Sequence, residues 1–293
     1  METFGERLRG LPGRLWDRMQ NPPPVVGVVR FTGVIGQVGP LRSGLSLTRV
    51  ASALDRASSL PRLQAVALAV NSPGGSPVQS ALIARRIRQL AVEKGVPVVA
   101  FAEDVAASGG YWLACAADEI YADANSIIGS IGVIASSFGF TEMIDKLGIE
   151  RRVYTAGERK SMLDPFRPEN PQDVERLKAL QAEIHGNFQA WVRERRGARL
   201  KGSPDELFSG EFWSGTRALE LGLIDGLDDL RAAMRRRFGD EVRLRAVGGE
   251  PAWWRRRLPF RGAGEGISIL PPTWSDDLMA TIEARAVWSR YGL

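Results

Sequence analysis

Ala106-Ala107-Ser108-Gly109-Gly110-Tyr111-Trp112 comes soon after an apolar, β-like run from Val96 to Ala102. A strand that ends in a small-residue turn and opens into a helix presents its serine at the helix N-terminus. Backbone N–H groups there have no intrahelical acceptor and point outward. Such a position suits a nucleophile whose transition state carries an oxyanion. The same small residues also let a helix approach a sheet closely, and for this stretch alone that packing explanation is the stronger one.

On the N-terminal side, Val25 to Phe31 reads as a strand ended by Gly33 and Gly36, and Leu45 to Ser59 as a helix. Ala65 to Val70 is a continuous apolar run, the pattern of a strand buried on both faces. The loop Asn71-Ser72-Pro73-Gly74-Gly75-Ser76-Pro77 follows it. Next comes a helix over Val78 to Ala91, with Ala81, Leu82, Ile87 and Leu90 expected to face inward and Gly95 to end it. Strands alternating with helices at this spacing indicate βαβ units, an α/β fold and a mainly parallel sheet. On the C-terminal side, Glu119 to Ala122 and Ser130 to Ala135 read as short strands, Phe140 to Leu147 as helical and Arg151 to Tyr154 as extended. Residues 156–171 form a polar loop, and a long helix is expected from Gln172 to Arg196. Ser203-Pro204 caps a short helix, and Thr216 to Leu221 and Leu227 to Phe238 are further helices.

Composition bounds the chemistry. The 293 residues suffice for one large domain with appendages. One cysteine, Cys115, excludes an intrachain disulfide and a multi-cysteine metal site, and its alanine neighbours mark it as a small core residue. One histidine, His185, leaves a Ser-His-Asp triad a single candidate base, and that residue lies inside the long helix. The net charge is +5 and is carried almost wholly by arginine, since only Lys94, Lys146, Lys160, Lys178 and Lys201 are lysines. No segment reaches the roughly 18 apolar residues of a transmembrane helix, and no apolar h-region follows Arg7, Arg9 and Arg14. The expected compartment is therefore the cytoplasm, with peripheral membrane contact open to the two basic ends.

Three parts are expected. Residues 1–24 form a basic amphipathic segment (Phe4, Leu8, Leu11, Leu15, Met19) and a proline linker; residues 25–247 form the main domain. Residues 248–293 form a basic, aromatic tail with Trp253-Trp254-Arg255-Arg256-Arg257 and a short helix over Asp276 to Trp288. For that tail, packing on the chain's own body or a partner subunit ranks first, an anionic membrane second and nucleic acid last.

Serine needs a base, and with His185 set in a helix the remaining candidate is a lysine. Lysine serves only where burial or neighbouring positive charge makes it neutral. Lys160 lies in Ala156-Gly157-Glu158-Arg159-Lys160-Ser161-Met162, where plain solvation is the stronger explanation from these residues alone. The paired glycines of Asn71–Gly75 could lend a backbone N–H to a substrate carbonyl, or form an ordinary turn. Gly129-Ser130-Ile131-Gly132 again sets a serine at a turn.

Together, Asn71-Ser72-Pro73-Gly74-Gly75, Ala107-Ser108-Gly109-Gly110-Tyr111, Gly129-Ser130-Ile131-Gly132-Val133, Gly157–Lys160 and Gly222-Leu223-Ile224-Asp225 resemble the signal peptide peptidase A (SppA) family. The resemblance covers about Val25 to Leu230 and rests on the order and spacing of the motifs. It implies a ClpP/crotonase-like fold with a superhelical β-sheet core and surrounding helices. It implies a homo-oligomer and a Ser-Lys dyad acting on peptides such as signal-peptide remnants, without a cofactor. Carried over, Ser108 is the nucleophile, Lys160 the general base, Ser130 the hydroxyl that positions the lysine, and Gly75 and Gly109 the oxyanion hole. The chain departs from the family in showing no N-terminal transmembrane anchor. Two other classes stand beside this one: a crotonase-type acyl-CoA enzyme, for which Glu103 and Asp104 are the nearest carboxylates to Ser108, and an inactive scaffold at a membrane surface.

Overall fold

The structure, a computed structural model, describes residues 22–36, 44–157, 159–248, 286 and 288–291. Its frame is a run of parallel strands joined by helical crossovers. β1 (Val25–Thr32), β2 (Leu63–Ser72) and β3 (Val98–Ala107) lie side by side, with α1 (Leu47–Ser58) and α2 (Pro77–Lys94) between them in sequence. A parallel pair needs a crossover of this kind, and its helix must cover a sheet face. That requirement explains the near-continuous apolar runs: Ala65 to Val70 is buried throughout, as expected.

The two faces have different covers. Val29, Phe31, Leu68, Val70 and Ala100 pack with α1, α2 and α3 (Gly109–Ala114). The alternate residues Val26, Val28, Ala67, Val99 and Phe101 pack with Ala233 and Met234 of α8 (Leu230–Phe238). The sheet divides at β3. Its first half pairs with β4 (Glu119–Ala122) and its last residues, Val105 to Ala107, pair with β5 (Ile127–Gly129). β4 continues to β7 (Gly226–Leu227), and β5 pairs antiparallel with β6 (Phe212–Ser214). β8 (Arg243–Val247) closes the other edge beside β1. The result is the mixed α/β, mostly parallel architecture of the ClpP-like class.

Helices α4 (Thr141–Lys146), α5 (Pro171–Arg196), α6 (Pro204–Leu207) and α7 (Gly215–Glu220) occupy the expected places. Ser203 caps α6, its hydroxyl accepting from the Glu206 N–H at 3.2 Å. Several expectations are corrected. The strand placed at Ser130 to Ala135 ends at Gly129, because Ser130 turns into a left-handed conformation. In α2 the buried face is Ser80, Ile83, Ala84, Ile87, Leu90 and Ala91, so Ala81 and Leu82 stand at its flank. Leu227 belongs to β7, and the helix begins only at Leu230, behind the Asp229 cap. The amphipathic helix expected within residues 1–20 lies outside the described residues. Of Asp276–Trp288, only Ala286 and Trp288 are described, both helical. Among the described residues no helix is long and apolar enough to cross a membrane.

Candidate active site

β2 and β3 deliver the site. Beyond Val70 their register slips, so that Ser72 stands opposite Ala106. Asn71 sits at the slip and stitches it. Its Oδ1 accepts from the Val105 N–H at 3.3 Å, and its Nδ2 donates to Asp104 at 2.5 Å. β3 can therefore run five residues past the expected Ala102, up to the serine.

The glycine loop then folds against the serine turn. Gly74 and Gly75 take φ of +104° and +139°. A Cβ on Gly74 would stand 2.7 Å from the Ser108 Cβ, and one on Gly75 2.1 Å from the Ile35 carbonyl oxygen. Only a backbone without side chains fits there. Ile35 N–H donates to Gly74 O and Ser76 N–H to Ile35 O, both at 2.8 Å. Those bonds use the groups flanking Gly75 and leave its own N–H directed away from Ile35.

Ser108 holds φ +52° and ψ −122°, a conformation that side-chain-bearing residues seldom adopt and that costs on the order of 1–3 kcal/mol. The surroundings impose it. Its N–H donates to Gly129 O at 2.8 Å, and its carbonyl accepts from Trp112 N–H at 3.0 Å. From Val105 to Ala117 every residue is buried except Ser108. The strained turn thus leaves one residue of an otherwise closed segment half-buried. Gly109 is the first residue of α3, so its N–H lacks an intrahelical acceptor beside that hydroxyl.

Ser130 has the same left-handed backbone, φ +51°, and is buried. The pairing of Ala107 with Gly129, carried one residue on, sets Ser108 and Ser130 next to each other on chains about 4.8 Å apart. The Ser130 N–H donates to Glu211 O at 2.7 Å, which fixes the turn to β6.

Helix α3 is clamped from behind. The Tyr111 hydroxyl donates to Leu223 O at 2.7 Å, and Trp112 stacks on Phe188 with centroids 4.7 Å apart. Arg195 donates to Cys115 O and Ala117 O, satisfying carbonyls just beyond the helix end. Arg196 is buried, pairs with Asp225 at 2.7 Å and donates to Gly222 O. The Gly222–Asp225 motif is thus a brace for α3 and α5. Burial pushes the Cys115 thiol up to about 12 and raises the Tyr111 hydroxyl well above its usual range. Cys115 is fully enclosed, as expected of a packing residue.

Lys160 stands elsewhere, in an exposed turn where its N–H donates to Gly157 O at 3.2 Å. With Ala156, Gly157 and Arg159 it lines a shallow cavity of about 390 Å³ that includes no residue of the serine turn or glycine loop. Among the described residues no hydrogen bond joins a basic or acidic side chain to the Ser108 hydroxyl. The other candidate groups are engaged. His185 Nε2 lies 3.0 Å from Ile131 O, Glu103 pairs with Arg30 at 2.6 Å, and Asp104 holds Asn71. One chain therefore gathers Gly75, Ser108, Gly109 and Ser130, while among the described residues no hydrogen bond links Lys160 to them. Sequence reasoning gave no separate part to Gly74, which touches Ser108, or to the Asn71 stitch. The adjacent glycines were the available sign of the first; nothing local signals the second, which depends on strand register.

A peptidase family S49 model matches residues 91–241, just over half of the chain. Among curated proteins, one from Brucella abortus bearing the name Na(+)/H(+) antiporter NhaA is 52% identical over 273 residues, 92% of this chain and 37% of that protein. "Protease 4" of Haemophilus influenzae is 31% identical over 237 residues, 80% of this chain and 37% of its own length. "Serine protease SPPA, chloroplastic" of Arabidopsis thaliana is 30% identical over 214 residues, 71% of this chain and 31% of its own. The chain thus spans 31–37% of the length of these relatives.

Proposed function

The chain belongs to peptidase family S49, and we propose that it is a serine endopeptidase in which Ser108 is the nucleophile and Lys160 the general base. The observation that carries this reading is the serine turn itself: a strained, half-buried serine in an otherwise buried segment, beside an unpaired helix-start N–H and a glycine loop pressed against it. Neutral Lys160 takes the Ser108 hydroxyl proton as Oγ attacks the substrate carbonyl. The oxyanion is met by the N–H groups of Gly75 and Gly109, and Ser130 orients the lysine. Collapse of the tetrahedral intermediate expels the amine, which leaves with a proton from the lysine. Water then releases the acyl group by the same sequence, and Ser108 is restored.

The exposed position of Lys160 fits a base supplied by a neighbouring subunit. The stretch that carries it, from Gly132 to Asn170, leaves Ile134, Phe138, Leu147 and Tyr154 well exposed, Tyr154 at 90%. Isolated subunits seldom leave so much apolar surface uncovered, so a homo-oligomer is the natural setting. Substrates are peptides or unfolded apolar segments, signal-peptide remnants among them. The antiporter name of the Brucella relative belongs to a protein of which this chain matches only 37%, and nothing in this site suits ion transport.

The test is hydrolysis of an apolar fluorogenic peptide by the assembled protein. Ser108→Ala, Lys160→Ala and Lys160→Arg should all be inactive, because guanidinium is not a base at accessible pH. Full activity in any of them would reject the dyad.

A further inference from the structure

Behind the serine strand, on the sheet face away from α3, lies a trough of about 1070 Å³. That is at the upper end of small-molecule sites, which span roughly 300–1,000 Å³, and the shape is open rather than enclosed. Its floor is apolar, with Val28, Phe101 and Leu244. Its rim carries the carboxylates Glu103, Asp104, Asp123, Asp228 and Asp229 against the guanidinium groups of Arg30 and Arg231. Part of this charge is compensated: Arg30 pairs with Glu103 and Arg236 with Asp228. The rim is acidic nonetheless.

The chain itself enters and leaves at this trough. β8 lines one side through Leu244 and Ala246, and residues 249–285 follow directly after its end at Val247 and Gly248. The described end of the chain returns at the other side. Tyr291 is buried against Val105 and Ala107, with Trp288 and Ile127 packed alongside, and its ring meets Phe212 edge-on at 5.1 Å. Ile127 also lines the trough. Phe101, Glu103, Val105 and Ala107 alternate along one face of β3, so trough and Tyr291 seat form one continuous surface behind Ser108.

We propose that the trough is the seat of this chain's own segment Trp253–Arg261. That segment reads Trp-Trp-Arg-Arg-Arg-Leu-Pro-Phe-Arg: four arginines, no carboxylate and four large apolar side chains. Its aromatic rings match the apolar floor, and its guanidinium groups match the acidic rim, where they can pair with carboxylates in a fork geometry. One end of the connecting chain, at Tyr291, is anchored on this face, and the other leaves the edge strand β8, whose Leu244 and Ala246 line it. The segment backs the strand that holds Ser108 at its tip.

Photo-cross-linking of the full-length protein tests this. Benzoylphenylalanine replaces Trp254, and isotopically heavy and light chains are mixed before irradiation. The expected cross-links join position 254 to peptides containing residues 101–104 or 123–127, in heavy–heavy and light–light pairs only. Heavy–light pairs would assign the trough to a second copy, cross-links elsewhere to another face, and an absence of protein cross-links to a solvated segment; each overturns the proposal. So would loss of the cross-link on adding phosphatidylglycerol vesicles. As a second reading, the triple change Arg255→Glu, Arg256→Glu and Arg257→Glu should speed amide exchange at residues 101–104 and 123–127 at least tenfold. Unchanged exchange would equally reject the seat.

Discussion

At Ser108 a positive φ, an unpaired neighbouring N–H and a glycine at van der Waals distance coincide. Gly74→Ala is the sharpest probe of that coincidence, since the new Cβ would meet both the Ser108 Cβ and the Gly109 nitrogen within 3 Å. We expect a loss of kcat/KM of at least the 10²–10³-fold typical of losing one oxyanion donor, with the chain still folded by circular dichroism. Ser130→Ala should lower kcat and shift its pH profile while changing KM little, because Ser130 is proposed to act through the lysine and not on the substrate. Cys115 offers a control on burial. Its thiol titrates near 12 instead of 9.0, so native protein at about pH 8 should resist iodoacetamide and unfolded protein should react. The same shift favours the folded state below pH 9 and loses that contribution as pH rises from 9.0 towards 12.

At the scale of elements, the serine turn is only as firm as the helices behind it. Asp225→Ala would leave the Arg196 guanidinium buried without its carboxylate, and stability should fall by about 3–5 kcal/mol, read as a lower urea midpoint. Much of this layer was legible in the sequence. Buried parallel strands announce themselves as apolar runs, and α2 and α5 carry proline at their starts. What escaped depended on partners far away in the chain. β6, β7 and β8 are short edge strands without an apolar run of their own, and their pairing partners lie tens to hundreds of residues away. The apolar run stops at Ala102, yet β3 continues through Glu103 and Asp104, which in the folded chain reach Arg30 and Asn71 across neighbouring strands. The serines and glycines of the candidate site were read as a group from motif order, whereas the positive φ that Ser108 and Ser130 share is a product of register.

For the whole molecule, the question is where Lys160 works. Its segment presents apolar side chains outward, and the cavity that Lys160 lines includes no residue of the serine turn. Mixing Ser108→Ala subunits with Lys160→Ala subunits, each inactive alone, should restore a measurable rate once hetero-oligomers form. A mixture that stays inactive despite subunit exchange would return the dyad to a single chain.

The central claim is that Ser108 carries the acyl group and that Lys160 makes it able to. Mass spectrometry of the protein quenched during turnover of an activated peptide ester addresses both halves at once. The account predicts an acyl adduct on Ser108 in the unmodified protein, none in Ser108→Ala and none above background in Lys160→Arg. An adduct on another residue, or undiminished acylation of Ser108 in Lys160→Arg, would contradict it.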